Sequence, residues 1–210
     1  MTLDDYLAPL PLIAILRGIT PQQIVPVGDA LRAAGFRAIE IPLNSPEPLT
    51  SIRLLSAHLG DDVLVGAGTV LQPEQVGAVR EAGGRLIVSP NAKPAVIEAT
   101  VRAGLFSAPG VATPTEGFAA LDAGAHALKI FPAEAVGPSV IKAWRAVVPA
   151  EVPLMPVGGI NPDNMQTFVA AGASGFGLGS ALYKAGMSTE TVAANARAFA
   201  DAWQGITVSS

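Results

Sequence analysis

Eight short apolar segments recur along the chain at intervals of roughly 20 to 27 residues, and a stretch with helical periodicity follows each of them. This alternation is typical of successive βα units, in which every helix returns the chain to the start of a parallel strand. We predict the strands at residues 12–16, 38–43, 63–70, 85–89, 106–111, 127–131, 154–158 and 175–178. The chain is therefore predicted to have an α/β fold built on parallel strands.

Eight units favour a closed (β/α)8 TIM barrel over an open sheet. Strands buried on both faces should be continuously apolar, and residues 12–16 and 86–88 meet this condition. The alternative is a doubly wound open sheet, which usually has fewer strands and a glycine-rich sequence after the first strand that residues 17–20 lack. We predict one domain over residues 1–210, with a short N-terminal helix within residues 1–11 under the barrel and a frayed tail at residues 204–210.

Prolines and glycines mark the predicted helix ends. Proline suits the first turn of a helix, and glycine suits the position after the last turn, where the backbone becomes left-handed. The expected starts are Pro21, Pro46, Pro73, Pro94, Pro114, Pro138 and Pro162. The expected ends are the glycines of five Ala-Gly dipeptides, Gly35, Gly83, Gly104, Gly124 and Gly172.

Composition excludes several classes of partner. The net charge is −4 and only 14% of residues are charged, so neither nucleic acid nor a membrane surface is an expected partner. The absence of cysteine excludes disulfides and thiolate metal sites and fits a cytoplasmic protein. We find no secretory signal and no apolar stretch long enough to span a membrane. His58 and His126 do not have metal-ligand spacing, so no metal or cofactor is predicted.

Lys129 lies inside residues 127–132, which otherwise have the character of a buried strand. An ammonium group in an apolar strand is costly, and loss of hydration favours the neutral amine that can attack a carbonyl. Lys129 is therefore a candidate Schiff-base nucleophile. The alternative is a structural lysine that reaches a carboxylate at the strand end.

Glu40 is a second charged residue in an apolar strand. A structural salt bridge with Lys129 is one interpretation, although buried pairs of this kind are weak stabilisers. The functional interpretation is that Glu40 moves protons for chemistry on Lys129.

Other polar residues follow the strands at their carboxyl ends, where parallel barrels carry their active sites. Arg17 can hold a carboxylate or phosphate through two parallel hydrogen bonds. Thr69 can add a hydroxyl hydrogen bond, and the glycine before it would let the backbone approach a ligand. The alternatives are that Arg17 is an exposed loop arginine and that Thr69 only marks a turn.

Two short motifs after the last two strands predict a phosphate site. They are Gly158-Gly159 and Gly179-Ser180, and each is unspecific alone. Barrels commonly bind phosphate with backbone N–H groups of these two loops, so the pair predicts phosphate-binding residues at Gly158, Gly159, Gly179 and Ser180.

Together these groups fit a metal-independent class I aldolase acting on a phosphorylated 2-keto acid. Metal-dependent aldolases that use histidine clusters are excluded by two separated histidines. A phosphosugar epimerase or thiamine-phosphate synthase on the same barrel would share the phosphate site without forming an imine. A non-catalytic sugar-phosphate binder is the third alternative.

Several segments resemble the 2-keto-3-deoxy-6-phosphogluconate and 6-phosphogalactonate aldolases. They are residues 13–18, 40–46, 66–71, 128–132 and 157–159, and the resemblance runs from about Pro11 to the end of the last helix. Gluconate-type members typically carry an arginine in the loop after the second strand and a threonine before the glycine pair, where this chain has Asn44 and Val157. The resemblance therefore points to the galactonate branch, with a gluconate-specific or dual-specificity aldolase as the alternative.

The resemblance implies a reaction and an assembly. Lys129 would form an iminium ion at C2 of 2-dehydro-3-deoxy-6-phospho-D-galactonate, Glu40 would move the protons, and pyruvate and glyceraldehyde 3-phosphate would be released. Phe131 and Val157 would contact the substrate, and Phe131 would keep the site dry. Because the loop arginine is missing, Arg17 would hold the carboxylate, assisted by Thr69. The family also implies a homotrimer.

Overall fold

The computed structural model describes residues 1–206, and residues 207–210 are outside the described part. The helices are α1 (Leu3–Leu7), α2 (Pro21–Ala33), α3 (Pro48–Leu59), α4 (Pro73–Glu81), α5 (Pro94–Arg102), α6 (Pro114–Asp122), α7 (Ala133–Arg145), α8 (Met165–Ala170) and α9 (Thr189–Gln204), with a 3₁₀ turn at Gly60–Asp62. The strands are β1 (Leu12–Ile15), β2 (Ala38–Pro42), β3 (Leu64–Gly68), β4 (Leu86–Val88), β5 (Phe106–Ala108), β6 (Gly110–Val111), β7 (Leu128–Ile130), β8 (Leu154–Pro156) and β9 (Phe176–Leu178). Across residues 1–206, no helix has both the length and the apolar character needed to cross a membrane.

The strands form two parallel sheets. Six strands pair in the order β5-β4-β3-β2-β1-β9, and three pair in the order β6-β7-β8. Helices alternate with the strands along the chain, apart from the break between β5 and β6. The predicted α/β fold with parallel strands is confirmed.

The predicted fifth strand is divided into β5 and β6 at Pro109. Proline has no backbone N–H and cannot donate to a neighbouring strand. The Pro109 carbonyl still accepts a hydrogen bond of 3.0 Å from the N–H of Lys129, so the chain passes from one sheet into the other at this point. At the opposite sheet edges, Ser174 N–H donates to Leu154 O at 2.9 Å, and Val157 forms an isolated parallel bridge with Gly177.

Helix α1 covers the amino ends of the strands. Its buried side chains Leu3, Tyr6 and Leu7 belong to an apolar cluster with residues at or near the strand starts, which include Ile13, Ala38, Leu64 and Leu86. The short helix expected within residues 1–11 is therefore present as α1. The carboxyl ends of the strands remain free of this cover.

Two predicted helix starts were wrong, and a third coincides with a break inside a helix. Helices α2, α4, α5 and α6 begin at the predicted prolines, but α3 begins at Pro48, α8 at Met165 and α7 at Ala133. Before α3, Glu47 adopts a left-handed conformation with φ 42°, which delays the helix. Before α8, the Asn161 side chain accepts from the N–H groups of Asp163 and Asn164 and holds a turn instead. Helix α7 begins earlier, at Ala133, but its backbone is not helical at Gly137, with φ 70°, so its second part begins at the predicted Pro138.

The predicted helix ends are confirmed. All five glycines have positive φ, between 72° and 103°, as a left-handed residue after a helix requires. At the C-terminal end, α9 includes Gln204, so the predicted tail does not begin at this residue, and Ile206 N–H donates to Trp203 O at 3.1 Å. Residues 207–210 of the predicted tail lie outside the described residues.

Candidate active site

A cavity of about 680 Å³ opens at the carboxyl ends of the strands. Every predicted site residue except Glu40 lines it, namely Arg17, Thr69, Lys129, Phe131, Val157, Gly158, Gly159, Gly179 and Ser180. Residues separated by most of the chain are brought together here because parallel strands end at one edge. Glu40 lies on a second, smaller hollow that shares Lys129 with the cavity.

Lys129 is the central residue of β7 and faces away from the helices. Its neighbours Leu128 and Ile130 belong to the core cluster that contains the buried helix side chains, and alternate strand residues point to opposite faces. The Lys129 side chain is only 7% exposed, and its Nζ lies 5.0 Å from the centroid of the Phe131 ring. Burial lowers the pKa of Lys129, the Glu40 charge raises it, and the Arg17 charge lowers it further. The net lowering favours the nucleophilic amine.

Glu40 is the central residue of β2 and is 1% exposed. It shares with Lys129 a narrow apolar hollow of about 10 Å³, at the lower limit of the space that one water molecule needs. Within residues 1–206, Glu40 Oε2 has no hydrogen-bond partner. Burial raises the pKa of Glu40 to about 7, against the opposing attraction of Lys129 and Arg17. A carboxyl with this pKa can accept and return a proton near neutral pH.

The structural salt bridge considered for Glu40 and Lys129 is not formed. Four ion pairs occur among residues 1–206, and none of them joins these two residues. The two groups line the same hollow without a direct ion pair.

The missing side chain of Gly68 on β3 leaves the space that the Glu40 carboxyl group occupies. A Cβ atom on Gly68 would collide with the Glu40 carboxyl group. We expected the glycine before Thr69 to admit a ligand, whereas its missing side chain admits Glu40. The sequence carried no signal for this contact, because it depends on the pairing of Glu40 with Gly66 across two strands.

Burial of Glu40 predicts a pH-dependent cost to stability. Its folded-state pKa of about 7 exceeds the usual 4.5, so the folded protein binds this proton more tightly than the unfolded chain does. The stability that the folded protein gains from this tighter proton binding is therefore complete below pH 4.5 and is lost as the pH rises through 7. We expect Glu40→Gln, which stays neutral, to gain about 3 kcal/mol in unfolding free energy over wild type between pH 4.5 and 8.

Urea unfolding of both proteins at pH 5 and pH 8 measures this difference. The exposed Glu98, which pairs with Arg102 on the surface of α5, supplies the control Glu98→Gln. A gap between Glu40→Gln and wild type that stays constant with pH would contradict the burial argument.

Arg17, Asn44 and Thr69 form a hydrogen-bonded group, and two of them, Arg17 and Thr69, line the cavity. Arg17 Nη1 donates to Asn44 Oδ1 at 2.7 Å, and both Nη atoms lie 3.4 Å from Thr69 Oγ1. Thr69 has φ 57°, a left-handed conformation that is rare for a β-branched residue and that clusters at functional sites. The sequence marks Asn44 only as a difference between the branches, and the structure makes it a hydrogen-bond partner of the proposed carboxylate-binding arginine.

The two glycine motifs also line the cavity. Gly158 and Gly159 have φ 107° and 66°, and Asn164 Nδ2 donates to Gly159 O at 2.8 Å. In the second motif, the N–H groups of Leu182 and Tyr183 both donate to Gly179 O at 2.9 Å. Hydrogen bonds therefore fix both loops at the positions predicted to bind phosphate.

The cavity also contains residues that the sequence did not suggest. They are Ile15, Pro90, Ile160, Asn161, Gly177, Ala181, Tyr183, Lys184 and Ala185. Of these, Lys184 carries a charge and lies four residues after Ser180 on the same loop.

The two histidines lie elsewhere, since His58 pairs with Asp29 at 2.8 Å and His126 Nδ1 accepts from Ser107 N–H at 3.1 Å. Within the described chain, no cluster of three or more His, Asp or Glu side chains has the arrangement of a metal site.

Comparison with known proteins gives this arrangement a family. The sequence model described as KDPG and KHG aldolase matches residues 3–197. The chain belongs to this aldolase family. The prediction of a carbon–carbon lyase of the aldolase class is confirmed.

Individual relatives indicate the branch of the family. This chain is 51% identical over 195 residues to the 2-dehydro-3-deoxy-6-phosphogalactonate aldolase of Escherichia coli K12, and the match covers 93% of this chain and 95% of the relative. A solved structure described as native KDPGal matches it with a TM-score of 0.91 at 51% identity, over 93% of this chain and 95% of that one. The predicted resemblance to the galactonate branch is confirmed.

A third comparison concerns the chemistry of the family. KDPG aldolase from Legionella pneumophila is 29% identical, with a TM-score of 0.79, and the match covers 97% of this chain and 96% of that chain. It was solved with pyruvate captured as a covalent carbinolamine intermediate. Covalent capture of pyruvate is therefore recorded for a structural relative.

Proposed function

We propose that this aldolase cleaves 2-dehydro-3-deoxy-6-phospho-D-galactonate to pyruvate and D-glyceraldehyde 3-phosphate through a Schiff base. The observation that carries the proposal is the buried Lys129, with its lowered pKa, between the cavity and the Glu40 carboxyl. The choice of substrate is supported by the 51% identity to the E. coli galactonate enzyme.

The first step is attack of the neutral Lys129 amine on the C2 carbonyl of the substrate. The resulting carbinolamine loses water and becomes an iminium ion, whose positive charge can accept the electron pair of a breaking bond. The carbinolamine of the L. pneumophila relative supports this route. Phe131, against which Lys129 Nζ lies, helps to exclude water and keep the free amine neutral.

Glu40 handles the protons in the second step. Its carboxylate removes the proton of the C4 hydroxyl, directly or through a water molecule, and the C3–C4 bond breaks into an aldehyde and an enamine on Lys129. D-glyceraldehyde 3-phosphate leaves. Glu40 then returns the proton to C3 of the enamine, and hydrolysis of the iminium ion releases pyruvate and restores the amine.

The cavity ends hold the two anionic groups of the substrate. Arg17 and Thr69 bind the carboxylate, since their hydrogen-bonded pair presents a guanidinium to the cavity. The phosphate lies at the backbone of the two glycine motifs, with Gly158, Gly159, Gly179 and Ser180 in contact. Val157 contacts the carbon chain between the two ends.

Treatment with pyruvate and borohydride tests the Schiff base. Reduction should trap a pyruvyl adduct, and peptide mass mapping should locate it on Lys129. Labelling of a different lysine, or no adduct under conditions where pyruvate binds, would overturn the proposed mechanism.

We also propose that the two sheets form one closed (β/α)8 barrel and that residues 1–210 are a single domain. The hydrogen bonds at both junctions between the sheets support closure.

Following the family resemblance, we propose a homotrimer, which light scattering coupled to gel filtration would test. A cytoplasmic location is proposed because the substrate and one product carry charged phosphates that do not cross membranes freely.

A gluconate-specific or dual-specificity aldolase is the remaining alternative, because the family includes KDPG enzymes. An epimerase, a thiamine-phosphate synthase or a non-catalytic binder does not fit a member of an aldolase family. The two aldolase substrates differ at C4, so specificity depends on side chains along the carbon chain.

Val157→Thr is expected to shift the preference between the two C4 epimers toward the gluconate form by about tenfold. Val157 lines the cavity, and the added hydroxyl can hydrogen-bond to one C4 configuration better than to the other. Measuring kcat/KM of wild type and variant on both epimers gives the ratio. Val147→Thr, at an exposed position, is the matched control. An unchanged ratio would show that Val157 does not set the preference.

A further inference from the structure

The charged side chains of the cavity are not equally available to the carboxylate and the phosphate of the proposed substrate. Arg17, Lys129 and Lys184 are the charged residues that line the cavity within the described part of the chain. Arg17 is hydrogen-bonded to Asn44 and Thr69 at the carboxylate end. Lys129 is driven toward its neutral form by burial. Lys184 is therefore the remaining charged side chain of the cavity that can pair with the phosphate.

The position of Lys184 suits this role. It follows Ser180 on the loop that begins with the two hydrogen bonds to Gly179 O, and its own N–H donates to Met187 Sδ at 3.3 Å. These contacts fix its backbone relative to the Gly179-Ser180 motif. None of the four ion pairs among residues 1–206 involves Lys184.

A carboxylate near the other glycine motif strengthens the requirement for a cation. A Cβ atom on Gly158 or Gly159 would lie 3.0 Å from an oxygen of Glu134, so this carboxylate lies beside the glycine pair. A phosphate at this pair would be repelled by Glu134, and neutral backbone N–H groups alone offset only part of that repulsion. A positive charge on another loop of the same cavity compensates for it.

We propose that Lys184 is a phosphate-binding residue that makes the aldolase selective for phosphorylated substrates. Its ammonium group pairs with the phosphate of the substrate opposite the glycine pair, while the backbone of the two motifs supplies neutral donors. The identity of the phosphorylated ligand rests on the proposed function, whereas the affinity of this end of the cavity for phosphate does not.

The reverse reaction separates phosphate binding from chemistry. Pyruvate is added to D-glyceraldehyde 3-phosphate or to D-glyceraldehyde, two acceptors that differ only in the phosphate. For Lys184→Ala we expect a KM about tenfold higher for the phosphorylated acceptor with little change in kcat, because one charge-assisted contact at a partly exposed site is lost. Kinetics with the unphosphorylated acceptor should change less than twofold, and Lys184→Arg should recover most of the affinity.

Inorganic phosphate is a second probe, measured by calorimetry without any turnover. Wild type should bind it more tightly than Lys184→Ala, and raised salt should reduce the difference. Lys142→Ala, on the exposed part of α7, should match wild type in both experiments. If the phosphate affinity depends on Lys184 but no aldol reaction occurs, the proposed function fails and the phosphate site stands. Equal losses with both acceptors, or unchanged phosphate affinity in Lys184→Ala, would overturn the role of Lys184.

Discussion

Lys129→Ala should lower kcat/KM for aldol cleavage by more than about 10⁴-fold, because the proposed iminium ion forms on this buried amine. Lys129→Arg should be equally inactive, since a guanidinium stays protonated at all working pH values and is a poor nucleophile. A coupled assay for released pyruvate measures the loss. Borohydride treatment with pyruvate should leave both variants unlabelled.

The control for this variant is a lysine that is not in the site. Lys93 is half-buried and hydrogen-bonded to the side chain of Gln72 outside the cavity, so Lys93→Ala should retain full activity. The circular dichroism of Lys129→Ala should match that of wild type, since removing an ionisable group from an apolar interior does not remove a core contact of the helices. Substantial activity in Lys129→Arg would refute the Schiff-base mechanism.

The strands were predictable because their pattern is local. Each is an apolar run between proline and glycine signals, and both signals act on neighbouring residues. The division of the fifth strand at Pro109 and the late start of α3 after Glu47 were not predicted. Both depend on backbone conformation that a tertiary neighbour or a turn imposes, and hydrophobic periodicity does not record it.

Lys129 and Glu40 were predictable for a different reason. A charge within an apolar strand is costly enough that its presence indicates a specific purpose. Asn44, Gly68 and Lys184 carry no such cost in their local sequence. Asn44 matters through Arg17, Gly68 through Glu40, and Lys184 through a cavity whose walls come from distant parts of the chain. Their roles require the three-dimensional structure.

Proton transfer by Glu40 predicts a distinct pH profile. With a pKa of about 7, Glu40 is mostly protonated at pH 6 and mostly ionised at pH 8. Only the carboxylate can remove the C4 hydroxyl proton, so kcat/KM of wild type should rise about tenfold between these pH values. Glu40→Gln should lower kcat/KM at pH 8 by about 10² to 10⁴, because the amide cannot accept the proton.

The shape of the profile separates Glu40 from Lys129, which also becomes more reactive as the pH rises. In Glu40→Gln the rise of kcat/KM near pH 7 should disappear. Any rise that remains belongs to the Lys129 amine. That amine loses the Glu40 charge that raises its pKa, so it titrates at lower pH than in wild type. Glu98→Gln, on the surface of α5, should keep the wild-type profile. Borohydride trapping of pyruvate should persist in Glu40→Gln, because imine formation needs the amine and not the C4 base. A Glu40→Gln enzyme that retained the limb near pH 7 would assign it to another group, and Glu40 would then be a buried structural carboxyl and not the base.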